Sequence, residues 1–208
     1  MVEHHDRAKL SSMDEATIEA YDRSPDEYAK EWTSQPPPTD LHELVKEFCR
    51  PGPTADIGCG SGRDTAWLVS QGFETVGYDA SRGLLAEARR RHPGIDFREG
   101  ALPRLLAVGE RTFENVVCET VIMHLPVEDV GQSVSRMTEI LRPGGTIYLS
   151  WRVTECRDVR AGDGRLYAAF RPSLVLDALG SALVLHDSES TSPSSGRTVH
   201  RLVARKSD

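Results

Sequence analysis

The sequence predicts an α/β fold: a mostly parallel seven-stranded sheet with helices on both faces and an antiparallel strand near the C-terminus. Three observations carry this expectation. Short strand-like runs alternate with helical periodicities from Pro53 onward, the pattern of a parallel sheet covered by crossover helices. A glycine-rich turn, Gly58-Cys59-Gly60-Ser61-Gly62, falls where the first strand run gives way to a helix. The last two strand runs have no helix between them, and a hairpin there reverses one of them.

The elements justify themselves in order. The first dozen residues are polar and read as frayed, and His4-His5 is too short to be a metal site. Met13 to Lys30 reads as one helix with Ile18, Tyr21 and Tyr28 inward. Pro36-Pro37-Pro38 stops any helix, and Asp40 to Phe48 starts the next, with Leu41, Leu44, Val45 and Phe48 as its stripe. Strands follow at Thr54–Ile57, Glu74–Tyr78, Ile95–Phe97 and Phe113–Cys118, separated by helices at Asp64–Ser70 and Arg82–Arg91. Val116 and Val117 suit a sheet buried on both faces. Val130, Val134, Met137, Ile140 and Leu141 give Val127–Leu141 a helical stripe, ended by Arg142-Pro143-Gly144-Gly145. A fifth strand runs from Thr146 to Trp151, then a long polar insertion from Thr154 to Phe170. A helix at Pro172–Leu179 and strands at Leu183–Leu185 and Val199–Ala204 close the chain. The expected organisation is a helical lid over residues 1–50 and a ligand-binding domain over 51–208, within one domain overall.

Composition narrows the function classes. With 38% apolar and 27% charged residues the chain is an ordinary globular one. A net charge of −7 argues against a nucleic-acid partner, which needs basic surface to displace counterions. Arg89-Arg90-Arg91 is read as a solvated helix end complementing the helix dipole. No apolar run approaches the roughly 20 residues of a membrane span or resembles a signal peptide, so a cytoplasmic location is expected. Cys49, Cys59, Cys118 and Cys156 form no C-x-x-C pair, which leaves reduced thiols and no metal site as the expectation.

The glycine turn is the informative feature. Ligands of open α/β sheets bind at the carboxyl ends of strands near the reversal of strand order. Glycines there let a ligand approach the backbone, and Asp79, at the end of the second strand run, is placed to accept hydrogen bonds from ribose hydroxyls. Nicotinamide-dependent enzymes share both features. Three details separate the readings: Arg63 occupies the third glycine position of the dinucleotide fingerprint, Asp56 precedes the loop where it can meet an α-amine, and a sulfonium cofactor has no pyrophosphate to seat.

At this point the chain resembles the class I S-adenosylmethionine-dependent methyltransferases, from about Thr54 to Trp151. Ala55-Asp56-Ile57-Gly58-Cys59-Gly60-Ser61-Gly62 resembles that family's first motif, and Gly77-Tyr78-Asp79-Ala80-Ser81 its ribose-binding second motif. Glu99-Gly100-Ala101-Leu102-Pro103 resembles the adenine-holding stretch. Phe113 to Glu119 with Val121-Ile122-Met123-His124-Leu125-Pro126 resembles the fourth motif, and Leu141-Arg142-Pro143-Gly144-Gly145 the turn before the fifth strand. The chain departs from the pattern at Gly100, where many members carry an acid, and at Asn115, where aspartate is frequent. The resemblance implies a Rossmann-like methyltransferase fold, S-adenosylmethionine as cofactor and S-adenosylhomocysteine as product. It implies cofactor contacts at Tyr21, Asp56, Gly58, Cys59, Gly60, Arg63, Asp79, Ala80, Ser81, Ala101, Leu102 and Glu119.

The expected reaction is in-line methyl transfer to an N, O or S nucleophile of a small molecule, for which alignment and water exclusion are the main protein tasks. His124 is the candidate general base, with a backbone or cofactor contact as its other reading. Tyr28, Trp32, His124, Trp151, Arg152, Arg165 and Tyr167 are candidate acceptor contacts. The two arginines suit an anionic substrate and equally suit surface ion pairs. Detoxifying methylation of a thiol or metalloid, and a non-catalytic cofactor-binding module, are the alternatives, with a monomer or homodimer expected.

Overall fold

The computed structural model describes residues 13–106, 108–154 and 157–208. His4-His5 and Cys156 lie outside the described residues.

The N-terminal segment forms two helices, α1 (Glu15–Arg23) and α2 (Pro25–Ser34), where the sequence suggested one. Pro25 has no N–H to donate, and Ser24 before it sits at φ −141°, outside the helical region. Asp14 caps α1, accepting from the Thr17 amide at 2.9 Å. Helix α3 (Thr39–Phe48) buries the expected Leu41, Leu44 and Val45.

Strands β1 (Pro53–Ile57), β2 (Glu74–Asp79), β3 (Asp96–Glu99) and β4 (Phe113–Cys118) alternate with α4 (Arg63–Ser70) and α5 (Arg82–Arg91). A 3-10 turn at Ile122–His124 leads into α6 (Val127–Glu139). Strand β5 runs Leu141–Arg152, so it starts five residues before the expected Thr146. The Pro143-Gly144-Gly145 stretch is extended because its backbone finds partners: Gly144 N–H donates to Lys206 O at 3.2 Å and Lys206 N–H to Gly145 O at 2.9 Å. The polar insertion carries an unforeseen two-stranded ribbon, β6 (Val159–Arg160) with β7 (Leu166–Tyr167). Helix α7 (Pro172–Ala178), β8 (Leu183–Thr191) and β9 (Thr198–Arg205) complete the chain, β8 being much longer than the sequence suggested.

The main sheet has seven strands in the order β3-β2-β1-β4-β5-β9-β8. Strands β1 to β5 are parallel, and β9 is antiparallel to both β5 and β8. The predicted fold class therefore holds, including the reversed C-terminal strand. Adjacent residues point to opposite faces of a strand, and two cores result. Val116, Ile147, Leu149, Leu202 and Ala204 face α6 and α7, whereas Val117, Tyr148 and Val203 face α3 and α4. Helix α5 packs on the second face through Leu85 and Ala88 against Cys59 and Phe97. Helices α1 and α2 contact α5 and each other. A buried ion pair between Arg201 on β9 and Asp40 on α3 ties that helix to the sheet. Strand order reverses between β1 and β4, so the loops after Ile57 and Cys118 flank the crevice where α/β sheets bind ligands.

Candidate functional site

The loop after β1 is shaped by its contacts. Gly58 N–H and Cys59 N–H both donate to Tyr78 O, at 2.7 and 3.0 Å, which folds the turn against β2. Gly58 (φ +76°) and Gly60 (φ +54°) need the left-handed region that glycine enters without strain. Space is equally restrictive: a Cβ on Gly58 would lie 2.2 Å from Val121, and one on Gly60 2.8 Å from Trp32.

Asp79 ends β2 beside this loop. Its carboxylate accepts from Gly60 N–H and Ser81 N–H, each at 2.8 Å. A carboxylate has about four acceptor positions, so two remain for a ligand's hydroxyls. Burial raises its pKa despite these bonds. Ser81 caps α5 by accepting from Leu84 N–H, and donates to Asp22 of α1 at 2.6 Å. Asp22 also accepts from Gly83 N–H at 2.8 Å, clasping the N-terminal helices to the loop after β2.

Asp56 lies beneath the loop, 2% exposed, accepting from the Thr65 hydroxyl at 2.5 Å. Desolvation, helped by nearby Asp64, pushes its pKa up to about 7. Its side chain is held by Thr65 of α4, and it is not among the residues lining the crevice. Arg63 and Asp64, joined by two bonds of 2.9 Å, line the crevice instead.

A cavity of about 450 Å³ opens above the loop, a size typical of small-ligand sites. Its lining joins Gly58, Gly60, Asp79, Ser81, Leu102 and Glu119 on the sheet side to Tyr21 and Trp32 from the N-terminal helices. Glu119 is held by the Tyr148 hydroxyl at 2.6 Å and the Ser150 hydroxyl at 2.5 Å, and burial raises its pKa.

His124 sits at the cavity wall, where Nδ1 lies 2.5 Å from Leu166 O and Nε2 lies 3.1 Å from the Tyr21 hydroxyl. A carbonyl can only accept, so Nδ1 carries the proton and Nε2 accepts from Tyr21. Burial pushes the His124 pKa down to about 4. Both ring nitrogens are engaged and the ring is a weak base, which argues against the general-base role and for the backbone-contact reading. Arg165 lies 5.5, 4.9 and 5.9 Å from the ring centroids of Tyr21, Tyr28 and Tyr167, and pairs with Asp163 at 2.8 Å. Burial and the adjacent Arg165 act on Tyr21 in opposite senses, and burial wins, raising the phenol.

Residues 55–145 match the family model described as a methyltransferase domain. That match covers under half of the chain, and it agrees with the resemblance of the motifs to the class I S-adenosylmethionine-dependent methyltransferases. Over 115 residues it is 34% identical to a trans-aconitate 2-methyltransferase of Methylobacterium nodulans, covering 53% of this chain and 42% of that one. The chain thus spans less than half the length of that curated relative. Its fold matches the Burkholderia thailandensis 1,6-didemethyltoxoflavin-N1-methyltransferase with bound 1,6-didemethyltoxoflavin and S-adenosylhomocysteine (TM-score 0.74, 23% identity, 93% of this chain and 88% of that one). It also matches the [4+2]-cyclase SpnF (TM-score 0.64, 16% identity, 81% and 80% coverage).

Most of the sequence-derived residues converge in space. Tyr21, Gly58, Cys59, Gly60, Arg63, Asp79, Ala80, Ser81, Leu102, Glu119, Trp32, His124, Arg152, Arg165 and Tyr167 all line the one cavity. Four do not. Asp56 faces α4, and Ala101 is exposed outside the cavity. Trp151 is buried against His200, ring centroids 4.2 Å apart. Tyr28 lies behind Tyr21 and donates to Asp163 at 3.0 Å. Glu99, considered for adenine, turns out to Arg82 at 3.1 Å, and Asn115 pins Arg50 and Thr54 at the far end of β4.

Sequence reasoning missed Asp22 and the β8–β9 hairpin tip, where Ser192, Ser194, Ser195 and Arg197 reach the cavity. The signal for Asp22 was faint, a helical acid without a periodic partner. The hairpin tip, Ser192-Pro193-Ser194-Ser195-Gly196-Arg197, reads locally as an ordinary turn.

Proposed function

We propose that this domain binds S-adenosylmethionine over the glycine loop and transfers its methyl group to a small-molecule acceptor in the same cavity. The observation that carries the reading is the convergence of Gly58, Gly60 and Asp79 with Tyr21 and Trp32 around one cavity of about 450 Å³. The residues present fit the cofactor: the loop leaves no room for a Cβ, and Asp79 keeps acceptor capacity for two hydroxyls. When bound, the cofactor supplies a methyl group on a sulfonium, already activated for displacement.

The chain's own residues then align and enclose. Gly58 and Gly60 admit the ligand to the backbone, Asp79 fixes a ribose, and Leu102 with the backbone at Gly100 walls the base. Tyr21 and Trp32 on α1 and α2 form a lid that excludes water. The proposed lid comprises α1 and α2, and α3 packs against the sheet through Leu41, Leu44 and Val45. His124 acts as a positioning residue that fixes Tyr21 and the β7 ribbon. With both His124 nitrogens engaged, this reading favours an acceptor nucleophile that needs no deprotonation by that ring, such as a neutral amine or an already ionised group.

Small-molecule acceptors in the names of the relatives support this reading, as does the net charge of −7. Among the described residues no helix is long and apolar enough to cross a membrane, in keeping with the cytoplasmic placement proposed here. Metalloid chemistry through the thiols of the described residues has little support: burial pushes Cys49 up to about 12 and raises Cys59 and Cys118 well above the ordinary thiol range. SpnF favours keeping a second reading, a cofactor-binding fold that performs another reaction. Calorimetric titration with S-adenosylhomocysteine, followed by transfer of labelled methyl into a metabolite extract, tests both. Absence of binding overturns the cofactor; binding without label in any product overturns methyl transfer.

A further inference from the structure

The two ends of the cavity carry opposite charge. Asp79 and Glu119 stand at the glycine-loop end beside the Arg63–Asp64 ion pair, and Arg152, Arg165 and Arg197 at the end formed by β5, β7 and the β8–β9 hairpin. The acidic end suits the cationic parts of the cofactor, its sulfonium and α-amine. The basic end has no such occupant, and its three arginines are not equivalent. Arg165 is committed to Asp163 at 2.8 Å. Arg152 and Arg197 form no ion pair with any carboxylate among the described residues.

Arg152 is the last residue of β5 and pairs in register with Val199 of β9, so the hairpin stands directly beside it. Its guanidinium lies 4.9 Å from the Tyr167 ring centroid. That contact covers one face of the guanidinium and leaves its edge donors without a protein partner among the described residues. The hairpin tip is closed by Gly196 N–H donating to Ser192 O at 2.8 Å. This turn sets the Ser192 and Ser194 hydroxyls 3.0 Å apart beside Arg197 at the rim. A stacked guanidinium with free edge donors, a second arginine and two hydroxyls make a fork for a planar anion.

We infer that this end of the cavity is a carboxylate subsite, and that the methyl acceptor is a small carboxylic acid held there through its carboxylate by Arg152 and Arg197. The inference rests on the proposed function and adds its substrate class. A carboxylate is ionised at neutral pH, so the two arginines balance the charge of the anchoring group.

The test uses the full chain saturated with S-adenosylhomocysteine and calorimetric titration with succinate, citrate and benzoate. Their methyl esters and inorganic phosphate serve as controls. At least one acid binds, its ester binds at least ten-fold more weakly, and phosphate binds more weakly than the acid. Arg152→Met weakens acid binding ten-fold or more and leaves S-adenosylhomocysteine affinity unchanged; Arg197→Met, at an exposed position, does the same to a smaller degree and serves if the first variant does not fold. Equal binding of acid and ester, tighter binding of phosphate, or no acid bound overturns the carboxylate subsite. So does a loss of S-adenosylhomocysteine affinity in Arg152→Met, which would assign the arginine to the cofactor's own carboxylate. Failure of the wild type to bind S-adenosylhomocysteine instead overturns the proposed function, and the subsite with it.

Discussion

The Tyr21 hydroxyl donates to His124 Nε2 across 3.1 Å, and the direction of that bond is set on the far side of the ring by Leu166 O, 2.5 Å from Nδ1. Helix α1, the turn after β4 and the β7 ribbon are thereby joined through one neutral imidazole. Tyr21→Phe removes the donor and leaves Nε2 buried without a partner. A lost buried hydrogen bond is worth about 1–2 kcal/mol. S-adenosylhomocysteine should therefore dissociate roughly five- to thirty-fold faster from the variant. Stopped-flow displacement checks this, and an unchanged off-rate would remove Tyr21 from the lid.

Gly60 and Trp32 make a second contact between loop and lid. A methyl on Gly60 would sit 2.8 Å from the Trp32 ring and must be carried at φ +54°. Gly60→Ala should weaken S-adenosylhomocysteine binding by an order of magnitude or more, about 1–2 kcal/mol from the left-handed backbone together with the displaced indole. Trp32→Ala removes the clash and not the backbone strain. In the double variant the two effects should be less than additive by about 1 kcal/mol. Strict additivity in a calorimetric double-mutant cycle would show that loop and lid do not touch in solution.

His124 gives a pH signature that separates a fixed neutral ring from a general base. Its folded pKa is about 4 and its unfolded value about 6.5. Between these values the unfolded chain binds a proton that the folded chain refuses, so this group's contribution to stability is present above pH 6.5 and lost as pH falls toward 4. The window corresponds to roughly 3 kcal/mol. His124→Gln cannot titrate and lacks this slope, so wild type should lose stability relative to the variant between pH 6.5 and 4.5. Parallel urea denaturation curves at the two pH values measure it. A constant difference would mean that the ring is already protonated or solvent-exposed in the folded state.

The sheet was legible because its signals are local and repeated: Val116-Val117 and the Gly58–Gly62 turn each announce a strand buried on both sides or a strand-to-helix bend. The helix break at Ser24-Pro25 was available in the sequence and was outweighed by the periodicity of Ile18, Tyr21 and Tyr28. The early start of β5 was not available, because the Pro143-Gly144-Gly145 backbone is satisfied by Lys206, about 60 residues away in the chain. The site followed the same division. Gly58, Gly60 and Asp79 belong to one βαβ unit and were read from spacing. Arg197 reaches the cavity, and Asp22 clasps Ser81 and Gly83 beside it, from elements whose packing is decided by tertiary contacts, and Trp151 fell outside it because a strand residue one position from Arg152 faces the opposite side.

Asp56 provides the last test, since its position under the loop rather than in the cavity changes what its charge does. Buried at 2% exposure and bonded only to Thr65, it has a folded pKa of about 7 against about 4 in the unfolded chain. Across that interval the folded state holds a proton that the unfolded state has released. Raising the pH through the interval therefore costs stability, up to roughly 4 kcal/mol once the carboxyl is forced to ionise. Asp56→Asn keeps the shape and an oxygen for Thr65, and cannot ionise. The variant should gain on wild type as pH rises from about 4 to about 7 and level off above that in urea midpoint measurements, opposite in sign to the His124 effect. A gain that does not grow with pH would place a compensating cation or water beside Asp56, and would return its carboxylate to the list of groups able to meet the cofactor's amine.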